Sequence, residues 1–171
     1  MSKLEAIRDR FPEAAKDIKL NLQTVLQPGS LSAAQRWGVA IASAIAARNT
    51  EVRDAIVADA AREVEPAVID DAAAAAALMA MNNVYYRFRH FMNKEKYNEI
   101  PARVKMNIMA RPVGGKEFFE LMSLAVSAVN GCEMCVKAHE NSLIELGSKE
   151  ERIFEAVRLG AVITSLSKVV F

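Results

Sequence analysis

The fold is decided by Ala72–Met81, A-A-A-A-A-A-L-M-A-M, an unbroken run of strong helix formers. Leu78, Met79 and Met81 continue a helical spacing of apolar residues beyond the six alanines, so we expect a long helix that packs closely through small side chains. Similar alanine-rich segments recur on both sides, whereas the alternating apolar and polar runs typical of strands do not. The sequence therefore predicts an all-α fold.

Helix boundaries follow from residues that interrupt this pattern. Ser32 and Thr50 are favoured N-cap residues, Pro12 and Pro66 suit a first helical turn, and Gly114-Gly115 breaks a helix. The predicted helices are 3–10, 13–26, 32–47, 51–64, 67–91, 94–98, 102–109, 116–129, 133–146 and 150–169.

An internal repeat is indicated when the sequence is shifted against itself by 84 residues. Ser43-Ala44-Ile45 then falls opposite Ser127-Ala128-Val129, and Pro66 falls opposite Glu150 at a predicted helix start. Alanine-rich helices also align by chance, so the agreement of helix boundaries is the stronger argument. We predict two copies of a three-helix unit. The predicted organisation is a single domain, 1–171, with units at about 31–87 and 115–171.

Composition narrows the possible partners. The 22 basic and 21 acidic residues balance, without the basic clusters that attract nucleic acid or anionic membranes. The first residues, M-S-K-L-E-A-I-R-D-R, lack the apolar core of a signal peptide, and the longest apolar stretches are about half the roughly 20 residues of a membrane span. We therefore expect a cytoplasmic protein that binds neither nucleic acid nor membrane.

The reactive side chains concentrate in Gly131–His139, G-C-E-M-C-V-K-A-H. On a helix, the steps from Cys132 to Cys135 and from there to His139 correspond to azimuths of about 60° and 40°, so all three share one face. In a reducing compartment, such a closely spaced pair is catalytic or metal-binding more often than structural. In the first unit the matching positions are Arg48, Glu51 and Ala55, so redox chemistry is expected in the second unit alone.

The surroundings of this segment favour thiol chemistry. Asn130 and Gly131 are poor helix formers, so we expect the pair near a helix N-terminus, where the helix dipole stabilises a thiolate. His139 is the natural general base, and Glu120 on the preceding predicted helix is positioned to orient it. Three other carboxylates compete for that role: Glu117, Glu133 and Glu140.

Other interpretations of the motif stay open. A zinc site needs about four ligands, and the motif supplies three, with distant His90 or a carboxylate to complete the set. The two cysteines could also pack inertly in a core, although charged neighbours argue for a half-exposed helix. A purely structural disulfide across such a short loop would constrain the unfolded chain little.

Cys132, Cys135 and His139, together with Glu120 and the duplicated helical pattern, indicate a resemblance to a known family. The sequence resembles the AhpD-type alkyl hydroperoxidases of the carboxymuconolactone decarboxylase-like superfamily over nearly its whole length. Besides C-E-M-C-V-K-A-H, the stretches Met81–Arg87 and Lys116–Glu120 are similar to the family's corresponding segments.

This resemblance implies a compact helical subunit that assembles as a homotrimer. It implies an antioxidant thiol peroxidase that also reduces an AhpC-type peroxiredoxin, with no bound cofactor or metal. Electrons would come from dihydrolipoamide on a lipoylated acyltransferase. Cys135 would attack the organic hydroperoxide and form a sulfenic acid. Cys132 would supply a proton and then resolve the sulfenic acid as a Cys132–Cys135 disulfide. Cys135 would also bond transiently to the peroxiredoxin, and Glu120 and His139 would relay protons.

One position departs from some family members, which carry a second histidine immediately before the second cysteine. This chain has Met134 there, which cannot carry a proton. We therefore expect disulfide exchange with a peroxiredoxin to exceed direct peroxidase turnover. Two other functions remain as alternatives: a cofactor-free lactone decarboxylase or isomerase of the same superfamily, and a zinc-stabilised helical binding module.

Overall fold

The computed structural model describes residues 2–170, and its regular secondary structure in that range is helical, with no strand. Its α-helices are α1 (Lys3–Arg8), α2 (Lys16–Val25), α3 (Ala33–Ala47), α4 (Thr50–Ala60), α5 (Pro66–Met92), α6 (Glu95–Glu99), α7 (Lys116–Val129), α8 (Glu133–Glu145) and α9 (Glu150–Val169). Short 3₁₀ turns occupy Glu13–Ala15 and Asn107–Ala110. The all-α prediction is confirmed.

Helices α3 and α7 form the centre of the molecule. They pack against each other, and each also contacts α5 and α9. Both are rich in fully buried apolar side chains, such as Ile41 on α3 and Leu121 on α7. Helix α4 covers α3, whereas α8 covers α7 and also reaches α5. One hydrophobic core therefore includes residues from both predicted units.

The alanine-rich stretch lies in α5 and packs as expected. Ala72, Ala75, Ala76 and Met79 are buried, and α5 lies against both α3 and α7. Small side chains on this face allow the helix axes to approach closely. The C-terminal half of α5 continues to Met92 and brings further side chains to the α7–α8 end of the core.

Two helix starts agree with the sequence and one is displaced. Ser32 caps α3 in a reciprocal capping box with Gln35, and Pro66 is the first residue of α5. The N-cap of α4 is Asn49, whose side chain accepts from Val52 N–H, so the prediction of Thr50 was wrong by one residue. Arg48 adopts a left-handed conformation just before it and ends α3 there.

The predicted helix 102–109 was wrong. Only a 3₁₀ turn at Asn107–Ala110 is present in this region. Ile100 is extended because it precedes Pro101, and Arg103 takes a left-handed conformation that interrupts a helix. None of residues 100–115 is fully buried, so no apolar face stabilises a helix there. Helix α4 also ends at Ala60, earlier than the predicted residue 64.

Corresponding helices of the two proposed repeat units begin a nearly constant number of residues apart. Helices α3, α4 and α5 begin at 33, 50 and 66, and helices α7, α8 and α9 begin at 116, 133 and 150. The offsets are thus 83, 83 and 84 residues. The duplication itself stays a prediction. None of the described helices is long and apolar enough to cross a bilayer.

Candidate active site

The turn between α7 and α8 places the first cysteine. The N–H of Cys132 donates to the Ser127 carbonyl and the N–H of Gly131 donates to the Ala128 carbonyl, the two hydrogen bonds of a Schellman motif. Gly131 has φ +67°, a conformation that glycine adopts without a Cβ clash. Cys132 therefore closes α7 and is also the N-cap of α8.

Both cysteines lie at this helix start, as the sequence predicted. Their sulfur atoms are at bonding distance, with the Cα atoms 5.3 Å apart. Cys132 is 1% exposed and Cys135 is 6% exposed, so the sulfurs are more deeply buried than the half-exposed helix suggested. Cys135 and His139 share the buried face of α8 with Leu143, whereas Lys137 on the opposite face is exposed.

His139 is held from two sides. Its Nδ1 atom lies 2.6 Å from Oε2 of Glu120 on α7, and its Nε2 atom lies 3.2 Å from Sδ of Met79 on α5. Both members of the Glu120–His139 pair are buried. The contact with Glu120 orients the imidazole ring, with Nδ1 turned toward the carboxyl group. The antiparallel packing of α7 and α8 thus brings together two residues 19 positions apart.

The other three carboxylates considered for orienting His139 do not contact it. A hydrogen bond from Ser148 and an ion pair with Arg152 hold the pKa of Glu117 below its ordinary value, although partial burial opposes this. Glu133 is exposed, and its hydrogen-bonded ion pair with Lys137 lowers its pKa. Glu140 is half-buried on α8. Among the four carboxylates, Glu120 is the one in contact with His139.

A pocket of about 320 Å³ opens beside this pair. Cys135 and His139 line one side, and Asn82 and Tyr86 on α5 line another. Sulfur-containing and small apolar side chains complete the lining: Met79, Met106, Met109, Met134 and Ala138. Cys132 does not line it. The pocket is mainly apolar and presents one of the two sulfurs.

The sequence did not assign a role to the α5 residues that brace the cysteine turn. Nδ2 of Asn83 donates to Ser127 Oγ at 2.9 Å, and its Oδ1 accepts from Nδ2 of Asn130 at 2.9 Å. Arg87, one turn further along α5, donates to the Asn130 carbonyl at 2.6 Å. Asn83 and Arg87 are four residues apart, which places both side chains on one face of α5. The sequence does not show which helix this face contacts, because tertiary packing decides it.

The motif residues do not converge as metal ligands in the structure. The sulfurs point to each other, and the two ring nitrogens of His139 contact Glu120 and Met79. His90 is exposed near the end of α5. Within residues 2–170 there is no group of three His, Cys, Asp or Glu side chains arranged to hold a metal ion.

Known proteins are similar to this chain along most of its length. It is 60% identical to alkyl hydroperoxide reductase AhpD of Anaeromyxobacter sp. (strain K), over 95% of this chain and 88% of that protein. The chain belongs to the AhpD family. The proteins of the same name from Rhodospirillum centenum and Brucella suis are 49% and 44% identical, over 97% and 95% of this chain and 89% and 93% of theirs.

Residues 95–170 also match the Carboxymuconolactone decarboxylase family. This segment contains α7, α8 and α9, together with Glu120, Cys132, Cys135 and His139. The resemblance to AhpD proteins inferred from the sequence is confirmed. In this AhpD family member, α5 lies outside the segment matched to the decarboxylase family and supplies Met79 and Asn82 to the pocket.

Proposed function

We propose that this protein is an antioxidant thiol oxidoreductase that reduces alkyl hydroperoxides, an oxidised AhpC-type peroxiredoxin, or both, through a Cys132–Cys135 dithiol/disulfide cycle. The observation that carries the proposal is the cysteine pair at the start of α8, with Cys135 facing an apolar pocket beside a buried Glu120–His139 pair. The name shared by its relatives, alkyl hydroperoxide reductase, supports the same reaction.

In the proposed reaction, the Cys135 thiolate attacks the distal oxygen of the hydroperoxide. The S–O bond forms as the O–O bond breaks, which oxidises the sulfur to a sulfenic acid and releases an alkoxide that takes up a proton to become the alcohol. Cys132 then attacks the sulfenic sulfur. Its thiol proton leaves with the hydroxyl group as water, and the disulfide forms.

Glu120 and His139 are proposed to manage the protons of this cycle. With Nδ1 bonded to Glu120, the carboxylate stabilises the imidazolium that forms when Nε2 takes a proton. Nε2 lies on the side of Met79, which lines the pocket together with Cys135. His139 would accept a thiol proton before attack and return one to the departing alkoxide.

Reduction of the disulfide is proposed to come from a dihydrolipoyl group on a lipoylated acyltransferase, with no cofactor bound to the chain itself. The proposed peroxiredoxin intermediate is a mixed disulfide to Cys135, because Cys135 is the pocket-facing sulfur. A reducing compartment such as the cytoplasm suits such a cycle. We also propose that the subunits assemble as a homotrimer.

Met134 affects how activity divides between direct reduction of hydroperoxides and reduction of the peroxiredoxin. It lines the pocket next to Cys135 but cannot relay a proton. We propose that proton transfer through Glu120, His139 and water makes the protein a better peroxiredoxin reductant than a peroxidase. Equal turnover with and without the peroxiredoxin would contradict this partition.

A coupled assay tests the proposed function. The mixture contains NADH, dihydrolipoamide dehydrogenase, a lipoyl domain, this protein and cumene hydroperoxide, with or without an AhpC-type peroxiredoxin. NADH oxidation should depend on the protein and should be abolished by Cys132→Ser and by Cys135→Ser. NADH oxidation that is independent of both cysteines would contradict the proposal.

The family match over residues 95–170 favours a second candidate, a cofactor-free lactone decarboxylase or isomerase in which Glu120 and His139 transfer protons. That activity should survive Cys135→Ser, because no step uses the thiol. Loss of a carboxymuconolactone by absorbance, unchanged in Cys135→Ser, would support it. A zinc-stabilised module would instead show near-stoichiometric zinc on metal analysis of the purified protein.

A further inference from the structure

The pocket beside Cys135 contains two polar side chains of α5 with no role in the cycle described above, Asn82 and Tyr86, and Asn82 is the more deeply buried. Asn82 on α5 lines the pocket and is 5% exposed. Its Oδ1 atom is buried and has no hydrogen-bond partner among residues 2–170. A buried carboxamide oxygen without a partner is destabilising and calls for an explanation, such as an ordered water or a ligand. Ser43 Oγ and Ser123 Oγ are also buried without a partner, but neither residue lines this pocket, whereas Asn82 does.

The neighbouring asparagine shows that this packing can satisfy an amide. Asn83 is also buried, but its carboxamide bonds to Ser127 and Asn130. The two residues are adjacent on α5, and only Asn82 lines the pocket with Cys135. Asn82 is therefore the asparagine on the reacting side of the helix, and a turn of its carboxamide about the Cβ–Cγ bond is needed to bring the enclosed Oδ1 atom to the pocket.

A ligand for this pocket needs an apolar body and a small polar head. Four methionines and Ala138 provide the apolar wall, and about 320 Å³ accommodates a body of roughly ten heavy atoms. The head must donate a hydrogen bond to Oδ1 of Asn82 while close to Cys135. An alkyl hydroperoxide meets both needs, since its terminal O–H donates and that same oxygen is the atom attacked by the thiolate.

We propose that Asn82 binds the hydroperoxyl head of the substrate and presents its distal oxygen to Cys135. This proposal rests on the proposed peroxidase step. Oδ1 accepts the hydrogen of the distal oxygen, and this hydrogen stays on that oxygen when it is transferred to sulfur. The same contact therefore holds the substrate before attack and the sulfenic acid after it. Asn82 would set substrate affinity rather than the reactivity of the thiol.

The test measures a single oxidation event. Protein reduced with dithiothreitol and desalted is mixed with increasing cumene hydroperoxide, quenched with an alkylating agent and analysed by mass for the Cys132–Cys135 disulfide. Asn82→Leu and Asn82→Ala should lower the rate constant at low peroxide about tenfold, as expected for one lost hydrogen bond. The limiting rate at saturation should stay within about twofold. Asn141→Ala, an exposed asparagine on α8, is the matched control and should react as the wild type does.

A stability measurement separates binding from a structural role. Leu is close to Asn in size and carries no orphaned oxygen, so Asn82→Leu should have a melting temperature equal to or above that of the wild type. The pH dependence of iodoacetamide alkylation of the reduced protein should be unchanged. A lower melting temperature in both Asn82 variants would identify a structural residue and overturn the proposal.

The remaining outcomes distinguish the inference from the proposed function. Wild-type kinetics in a folded Asn82→Leu protein, with Cys135→Ser inactive, would overturn the role of Asn82 and leave the peroxidase intact. If the Asn82 variants were oxidised by peroxide at the wild-type rate but their disulfide was reduced more slowly by dihydrolipoamide, Asn82 would bind the amide of dihydrolipoamide. That result would overturn the proposed contact with the hydroperoxide. No peroxide-dependent disulfide in the wild type would overturn both proposals.

Discussion

At the scale of single residues, the contact between Glu120 and His139 is the feature on which the proposed proton transfer depends. The 2.6 Å contact is buried, where an isolated charge would be costly and a paired one is tolerated. The carboxyl group of Glu120 therefore fixes the orientation of the imidazole.

Replacing that carboxylate tests its charge separately from its shape. Glu120→Gln keeps an acceptor near Nδ1 but removes the negative charge that stabilises the imidazolium. We expect disulfide formation by cumene hydroperoxide in the reduced protein to slow by about 10²-fold. The melting temperature should change much less than the rate. Glu140→Gln, on the half-buried side of α8, serves as the control. Equal rates in the two variants would exclude a role for Glu120.

The residues of the motif were accessible to sequence reasoning to different degrees. The spacing of Cys132, Cys135 and His139 fixes their shared face, because it depends only on helix geometry. Asn130 and Gly131 likewise locate the start of α8. Asn82 could not be assigned, because which face of α5 meets the pocket depends on the crossing of three helices that are distant in sequence.

At the scale of elements, the α7–α8 junction couples two helix ends through one glycine. Gly131→Ala would place a Cβ on a residue with φ +67°, at a cost of about 1 kcal/mol in the free energy of unfolding. Because Cys132 follows directly, we expect slower disulfide formation as well. Denaturant unfolding and the single-turnover assay measure the two effects. Gly147→Ala, at the equivalent end of α8 with φ +86°, should lose stability with little change in rate. Equal rate losses in both variants would contradict this assignment.

The carboxylate of Asp59 on α4 binds the first residues of helix α1. Asp59 accepts hydrogen bonds from Ser2 Oγ and from the backbone N–H groups of Lys3 and Leu4. Burial raises the pKa of Asp59, but these hydrogen bonds and nearby Arg62 outweigh it and hold the pKa below its ordinary value. The folded protein therefore releases this proton more readily than the unfolded chain does.

The sign of this shift predicts a pH dependence. The stabilisation is fully present above the ordinary pKa near 3.8 and is lost as the pH falls through the lower folded-state pKa. Asp59→Asn should lower the free energy of unfolding at pH 7 by about 1–3 kcal/mol and flatten its decline in that acidic window. Denaturant titrations at several pH values measure both. The exposed Asp54, changed to Asn, should have little effect. An unchanged acid profile in Asp59→Asn would contradict the prediction.

The elements differ in how far the sequence determined them. Helices with a strong apolar face, such as α3 and α7, were located nearly to the residue because burial and local propensity agree. The structure of the segment 100–115 was predicted wrongly. A few residues after Pro101 are compatible with a short helix, but the segment has no buried face to stabilise one. At the start of α4, Asn49 and Thr50 are both good caps, and the left-handed Arg48 decides between them.

At the scale of the whole molecule, one surface carries an apolar stripe near the active-site end of α5. Val84, Phe88 and Phe91 recur at helical spacing and are exposed, Phe91 by 74%. Phe88 also packs edge-on against Tyr97 of α6. Contiguous exposed apolar side chains are typical of subunit interfaces, which makes this stripe the surface by which we expect the subunits to associate.

The proposed homotrimer can be tested on this stripe. A charge at a buried interface position is strongly unfavourable, so Phe91→Glu should convert the assembly into monomers of 18.8 kDa in sedimentation equilibrium. Phe154 on α9 is similarly exposed, at 69%, but lies outside the stripe, so Phe154→Glu should leave the mass unchanged. Circular dichroism checks that both variants remain folded. A trimeric Phe91→Glu protein would place the interface elsewhere, and a monomeric wild type would contradict assembly itself.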